Sequence, residues 1–138
     1  MKKYGVLSLL ILFVANNIYA EHIFTIEINN IIINGGTVYM AIYFDEQSFK
    51  NNHPDITLQI IPNSINCLQE ITLPEGEYVV GIFQDTNGNG KIDYGLFGIP
   101  KESYGFSNMK GKTPGNYNQL KFSINNSNER IIIPLVRW

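Results

Sequence analysis

Segments in which apolar and polar residues alternate recur along the chain from residue 22 onward. In the first segment His22, Phe24 and Ile26 fall on one face of an extended chain. Thr25 and Glu27 fall on the other face. A period of two is typical of a half-buried β-strand, and no stretch longer than about ten residues shows a clean helical period. The chain therefore predicts an all-β fold, a single antiparallel β-sandwich of about seven strands with one long functional loop.

Turn residues and prolines set the limits of these strands. Asn34-Gly35-Gly36 is a strong turn signal between the first two strands, which we expect to form a hairpin or to be near neighbours. Residues 45–55 are polar and predict a loop from which Phe49 folds back onto the core. Pro134 is compatible with the last strand only if that strand lies at a sheet edge. The predicted strands are residues 22–28, 37–44, 56–61, 65–71, 78–83, 118–124 and 129–136.

The first 20 residues have the features of a secretory signal peptide. Two lysines form a basic start, the apolar run from Val6 to Ala15 follows, and Ala20 is the small residue that signal peptidase accepts. The run is too short to cross a bilayer. We therefore predict a cleaved signal at residues 1–20, a single mature domain at residues 21–138 and a periplasmic or secreted location. The alternative is an uncleaved N-terminal anchor.

Charge and cysteine content restrict the partners of the mature domain. Eight of the ten basic residues remain once residues 1–20 are removed, against twelve acidic residues, which gives a net charge of −4. An acidic surface without a Lys/Arg cluster argues against nucleic acid and anionic membranes as partners, and we expect no membrane insertion after signal cleavage.

Cys67 is the only cysteine, so no internal disulfide can form, and its apolar surroundings predict a buried, unreactive thiol. We expect a monomer.

A metal-ligand pattern follows the predicted strand at residues 78–83. Oxygen-bearing side chains occupy positions 1, 3, 5 and 9 of the stretch that begins at Asp85, and Gly90 occupies position 6. A hard cation such as calcium binds six or more oxygens, and a glycine at position 6 allows the sharp turn that brings them together. The sequence therefore predicts a calcium site formed by the side chains of Asp85, Asn87, Asn89 and Asp93 and by the backbone carbonyl of Lys91.

Two features separate this loop from an EF-hand. Position 12 is Leu96 in place of a bidentate glutamate, and a predicted strand, not a helix, precedes Asp85. With two carboxylates, those of Asp85 and Asp93, the expected dissociation constant for calcium is on the order of 10⁻⁴–10⁻³ M. The alternative is a metal-free loop in which Asp and Asn side chains accept backbone N–H groups as Asx-turns.

The chain then continues to Asn108 through a segment rich in glycine and aromatic residues. Loops this long in small domains are usually functional or disordered, and the aromatic content argues against disorder. One interpretation is a surface that stacks on a partner, which we expect to be a protein or a glycan. The other is a small apolar core beneath the loop. The residues predicted to contact a partner are Tyr94, Phe97, Glu102, Tyr104 and Phe106.

Catalytic patterns are scarce in this sequence. His22 and His53 are the only imidazole groups, and neither belongs to a nucleophile elbow or a zinc motif. The carboxylates of Asp85, Asp93 and Glu102 could form the acid/base pair of a hydrolytic enzyme, but in a loop rich in Asn and Gly they are better explained as ion ligands or caps. We therefore predict a binding or structural module and not an enzyme, with a hydrolase as the alternative.

Two motifs carry a family resemblance. The segments LPEGEYVVGIFQDTNGNGKID and GIPKESYGFSN resemble the LPxGxYAxxxxHDxNxNGxxD and GxPxEGxGFSN patterns of DUF2141, a family of uncharacterised secreted bacterial proteins. The resemblance extends from about Gly36 to Val136 and implies a prealbumin-like (transthyretin-like) β-sandwich, with no particular activity. Gln84 stands where the family usually has His, which argues against an obligatory catalytic or ligand role for that His. Ser103 stands where the family usually has Gly.

Overall fold

The computed structural model describes residues 19–138, so residues 1–18 of the predicted signal peptide lie outside the described residues. The described part contains eight strands and two short helices, arranged as two packed sheets, which confirms the all-β sandwich. In chain order the elements are β1 (Glu21–Asn29), β2 (Thr37–Tyr43), α1 (Glu46–Lys50), β3 (Ile56–Ile60), β4 (Cys67–Pro74), β5 (Gly76–Asp85), β6 (Tyr104–Phe106), α2 (Tyr117–Leu120), β7 (Phe122–Ile124) and β8 (Glu129–Pro134).

The two sheets differ in size. The smaller sheet has the strand order β4-β1-β8, and the larger has the order β3-β2-β5-β6, with β7 paired to the first part of β5. These pairs are antiparallel except for β1 with β8, which run parallel. Because β8 is the last strand of its sheet, Pro134 lies in an edge strand, as predicted. Neither helix in residues 19–138 has the length and apolarity of a membrane span.

The main core lies between the two sheets. Every second residue of β1 from Phe24 to Ile28 is buried, as the alternation predicts. Phe24 stacks on Phe122 of β7 with a distance of 5.1 Å between ring centroids. Cys67 is half-buried against this core. The buried core residues are Phe24, Ile26, Ile28, Ile31, Val38, Met40, Ile42, Leu73, Tyr78, Val80, Ile82, Phe122, Ile124, Ile133 and Leu135.

A second apolar cluster covers the outer face of the larger sheet. Phe49 of α1 packs edge-on against Tyr43 of β2, with a distance of 5.3 Å between ring centroids. Tyr117 and Leu120 of α2 are buried in the same cluster. The prediction that Phe49 folds back onto the core is therefore confirmed, and part of the outer face of the larger sheet is covered as well.

Capping residues explain two differences from the predicted elements. Asp45 accepts a hydrogen bond from the Ser48 N–H at 2.8 Å, which starts α1 in a region predicted to be loop. Asn116 accepts one from the Gln119 N–H at 3.1 Å, and residues 117–120 form α2. Only the last part of the predicted strand at residues 118–124 is therefore extended, as β7.

The expectation that β1 and β2 form a hairpin is wrong, and the two strands are neighbours only across the main core. They belong to different sheets. Each carries a row of apolar residues on one face, and both rows are buried because the two sheets pack face to face. The turn at Asn34-Gly35-Gly36 therefore crosses from one sheet to the other. Thr37 at the start of β2 pairs with Asp85 at the end of β5, so this turn and the long loop after β5 lie at the same end of the sandwich.

Candidate functional site

The long loop starts from a buried carboxylate at the end of β5. Asp85 is only 2% exposed. Its Oδ1 accepts hydrogen bonds from the backbone N–H groups of Gly88 at 3.0 Å and Asn89 at 3.3 Å, and its Oδ2 accepts one from Gly90 at 2.8 Å. The backbone φ angles of Gly88 and Gly90 are 72° and 75°, values that glycine adopts without strain. One carboxylate therefore closes the turn that we call the aspartate loop, residues 85–93.

A second carboxylate lies at the other end of the aspartate loop. Asp93 Oδ2 accepts hydrogen bonds from Asn87 Nδ2 at 2.6 Å and from Asn89 Nδ2 at 2.7 Å. These two bonds, that from Asn87 first, lower the pKa of Asp93 because they stabilise its charged form, and the charges of Lys91 and Lys101 add to this effect. Three of the four side chains predicted to surround calcium, those of Asn87, Asn89 and Asp93, are therefore brought together, but as donors and acceptors for one another.

Glu102 ties the aspartate loop to the rest of the domain. This side chain is buried, with Oε1 accepting from the Thr86 N–H at 3.3 Å and Oε2 accepting from the Asp93 N–H at 2.9 Å. It comes from a position far beyond the metal-ligand pattern and bonds both ends of the aspartate loop. The prediction that Glu102 contacts a partner is therefore wrong. Its buried side chain supports the loop from inside.

The hydrogen bonds decide how well the loop, as arranged, fits a calcium ion. Both oxygens of Asp85, both of Glu102 and Oδ2 of Asp93 accept N–H groups. The amides of Asn87 and Asn89 turn their nitrogens, and not their oxygens, toward Asp93. Within residues 19–138 no three His, Cys, Asp or Glu side chains lie close enough together to hold a metal ion by themselves. This arrangement matches the Asx-turn alternative, and a cation would fit only after both amides turned over.

The next segment is a small, closed hairpin that we call the tip hairpin, residues 93–101. A short 3-10 turn, Leu96–Gly98, forms its end. Because its backbone groups pair with one another, the hairpin holds its shape without help from a partner. The pairs are Lys101 N–H to Asp93 O at 2.9 Å, Gly95 N–H to Ile99 O at 2.7 Å, and an antiparallel bridge between Tyr94 and Pro100.

The tip hairpin points apolar side chains into solvent. Phe97 is 98% exposed, Leu96 is 83% exposed and Tyr94 is 57% exposed. Phe97 also has a backbone φ of 61°, in the left-handed region that is unfavourable for a residue with a bulky side chain. The other non-glycine residues of positive φ within residues 19–138 are all asparagines: Asn30, Asn34, Asn52, Asn108 and Asn128.

The remaining aromatic residues of the predicted partner surface are structural. Tyr104 is buried in β6, and its hydroxyl donates to the Lys112 carbonyl and accepts from Trp138 Nε1, the latter at 2.7 Å. Phe106 is half-buried against the second apolar cluster. The interpretation of a small apolar core beneath the loop is therefore confirmed for Tyr104 and Phe106, and the partner surface stays a prediction. Tyr94 and Phe97 are on the surface, whereas Tyr104 and Phe106 pack beneath the loop.

Gln84 is a support residue that the sequence did not single out for this role. It is fully buried, its Oε1 accepts from the Ile32 N–H at 2.9 Å, and its Nε2 donates to the carbonyls of Ile32 at 2.8 Å and Gly36 at 3.1 Å. The signals were a polar residue directly after an apolar strand and a position where the family usually has His. A glutamine there holds the β1–β2 connection against the base of the long loop.

The two histidines lie away from this loop. His22 is near the start of β1, where its Nδ1 contacts the Ser127 hydroxyl at 3.3 Å, and His53 lies between α1 and β3. Both positions are at the end of the sandwich opposite the long loop, because β1 starts and β2 ends there. The histidines therefore do not join the carboxylates of Asp85 and Glu102 in one site.

Comparison with models of protein families identifies the family of this chain. The family described as "Uncharacterized protein conserved in bacteria (DUF2141)" matches residues 26–132, from β1 to β8, and so includes the whole long loop. The chain belongs to the DUF2141 family. No curated protein and no solved structure matches this DUF2141 protein.

The two aspartates of the loop are expected to differ in their effect on stability. Asp85→Ala leaves three backbone N–H groups without their acceptor and is expected to lower the free energy of unfolding by about 1–3 kcal/mol. Asp93→Ala, the matched control, frees only two side-chain amides that water can reach, so its effect should be much smaller. Urea unfolding of both variants measures this difference, and an equal or larger loss for Asp93→Ala would contradict the role given to Asp85.

Proposed function

We propose that this DUF2141 protein is an exported binding module, without enzymatic activity, that inserts the end of its tip hairpin into an apolar cleft of a partner protein. The observation that carries the proposal is Phe97, which is 98% exposed and has a left-handed backbone conformation. Its side chain buries almost no surface within the chain. A residue with a Cβ atom in this left-handed conformation also costs roughly 1–2 kcal/mol of conformational energy. Strain of this kind at an exposed residue is typical of binding sites.

The choice of residue at position 97 supports this argument. Asparagine occupies the other non-glycine positions of positive φ between residues 19 and 138. A residue selected only for stability at position 97 would therefore be Asn or Gly. A phenyl ring at that position is explained by a contact outside the chain, because aromatic side chains are frequent anchors of protein interfaces.

The shape of the tip hairpin favours a protein over a glycan. Leu96 and Phe97 lie at a projecting end that is closed by its own backbone hydrogen bonds and supported from below by Glu102. Ordering of the hairpin before binding reduces the entropy lost on association. Sites for small ligands are concave and contain converging polar groups, whereas two apolar side chains on a projection suit insertion into a pocket.

Phe97→Asn is expected to stabilise the protein. The change removes the strain of a bulky residue at positive φ and loses almost no packing, so the free energy of unfolding should rise by about 1 kcal/mol. Leu96→Asn is the matched control, because Leu96 is a similarly exposed neighbour without a positive φ, and it should bring no gain. Urea unfolding tests both variants. A loss of stability in Phe97→Asn would show that the phenyl ring packs within the chain.

Site-specific crosslinking in the native host tests the binding role of the same residue. A photoreactive phenylalanine analogue at position 97 should form a discrete, protease-sensitive adduct that Leu96→Ser weakens. The same analogue at position 68, where Leu68 is 59% exposed on β4, is the control and should not form this adduct. Identical adducts from both positions would refute a role for the tip hairpin, and a protease-resistant adduct would favour the glycan.

Export is supported by the position of the first described strand. β1 begins at Glu21, directly after the predicted cleavage position, so removal of residues 1–20 would leave both sheets whole. Mass spectrometry of the protein recovered outside the cytoplasm of its host is expected to show an N-terminus at Glu21. An intact Met1 on that material would rule out cleavage and favour the uncleaved anchor.

Calcium binding is a second candidate function, favoured by one observation. Asn87 and Asn89 both place their side-chain amides next to Asp93 Oδ2, at 2.6 and 2.7 Å, so turning over the two amides would bring three of the predicted oxygen ligands together. Calcium binding predicts a higher melting temperature in about 10 mM calcium than in chelator, because a ligand present at ten times its dissociation constant stabilises the folded state by about 1.4 kcal/mol. Asp93→Asn should reduce this shift. Identical wild-type melting curves in calcium and in chelator would rule out the calcium site and favour the metal-free, hydrogen-bonded loop.

A further inference from the structure

Strand β3 forms one edge of the larger sheet. Its residues pair with β2 on one side, with Met40 opposite Leu58, and within residues 19–138 no strand pairs with its other side. An edge strand of this kind presents a row of N–H and C=O groups that can pair with a further strand. The side chains of Ile56, Leu58 and Ile60 are only half-buried against the main core, so an added strand would also cover apolar surface.

Charged residues and prolines are absent from β3 and present in the edge strands of the smaller sheet. The sequence of β3 is Ile-Thr-Leu-Gln-Ile, with no charge and no proline, and its pairing with β2 has no bulge. By contrast, β4 has Glu70 near its centre, and β8 contains Arg130 and Pro134. Charges and prolines are common means by which edge strands avoid pairing, so β3 is less protected in this way than β4 and β8.

The order of residues in β3 suits pairing with itself. In an antiparallel pair related by a two-fold axis at Leu58, Ile56 lies opposite Ile60 of the second copy, and Thr57 lies opposite Gln59. Apolar residues then face apolar residues toward the core, neutral polar residues face each other outside, and no like charges meet. Self-pairing of β4 would instead bring two copies of Glu70 close together.

We propose that β3 is a dimerisation edge, at which a second copy of this chain pairs antiparallel through Ile56–Ile60 and joins the two larger sheets into one continuous sheet. Each copy contributes the same strand, so the contact is isologous and closes as a dimer. The inference revises the monomer expected from the sequence. It does not depend on the function proposed for the tip hairpin.

Charge substitutions on the outer face of β3 test the dimer without disturbing the core. Thr57 and Gln59 are exposed, so the variant Thr57→Lys/Gln59→Lys should fold normally, yet it places lysines directly opposite each other in the dimer. Sedimentation of the purified exported protein should show twice the chain mass for the wild type and the chain mass for this variant. The control Leu68→Lys/Thr72→Lys, at exposed positions of β4, should remain dimeric.

A mixing experiment identifies the paired strand. Thr57→Glu/Gln59→Glu should also be monomeric alone, and an equimolar mixture of the lysine and glutamate variants should recover the dimer, because each lysine then faces a glutamate. The proposal is overturned by a wild-type protein that stays monomeric up to about 100 μM, a range in which specific interfaces of moderate affinity are occupied. A dimer that survives the lysine variant, or variants that do not recover on mixing, would overturn it as well.

Discussion

The buried end of β5 holds both connections at one end of the sandwich. Gln84 and Asp85 are consecutive and point to opposite faces of the strand. Gln84 fixes the connection between β1 and β2, and Asp85 fixes the turn that begins the long loop. Gly36 completes this arrangement, since a Cβ atom there would overlap the Asp85 carbonyl oxygen. Two polar side chains and one glycine therefore connect the two sheets to the loop that bears the exposed aromatic residues.

The sequence predicted what depends on local pattern. Alternation located the apolar rows of the main strands, and the spacing from Asp85 to Asp93 identified side chains that do meet in the structure. It did not identify which strands become neighbours, because β1 and β2 have the same pattern whether they pair or face each other across a core. It also did not separate Phe97 from Tyr104. Both aromatic residues lie in the same glycine-rich segment, so their sequence surroundings are alike. Tyr104 is buried because β6 pairs with β5.

The high asparagine content has a structural explanation that composition alone does not reveal. Asparagine tolerates the left-handed backbone region better than other residues with a Cβ atom, and five such positions between residues 19 and 138 are occupied by it. Others cap α2 or bond within the aspartate loop. The turns of this domain therefore use asparagine where many proteins use glycine. This use is the reason that the single phenylalanine with the same backbone conformation is informative.

The parallel pairing of β1 with β8 has a consequence for the time at which the domain can fold. Phe24 pairs with Glu129, so the central strand of the smaller sheet finds one of its two neighbours only after almost the whole chain is available. Contacts between residues so distant in sequence form slowly, because the intervening chain must first be ordered. A chain that is synthesised from the N-terminus therefore remains without a complete core until its last strand is available. The topology itself delays folding until synthesis is nearly complete.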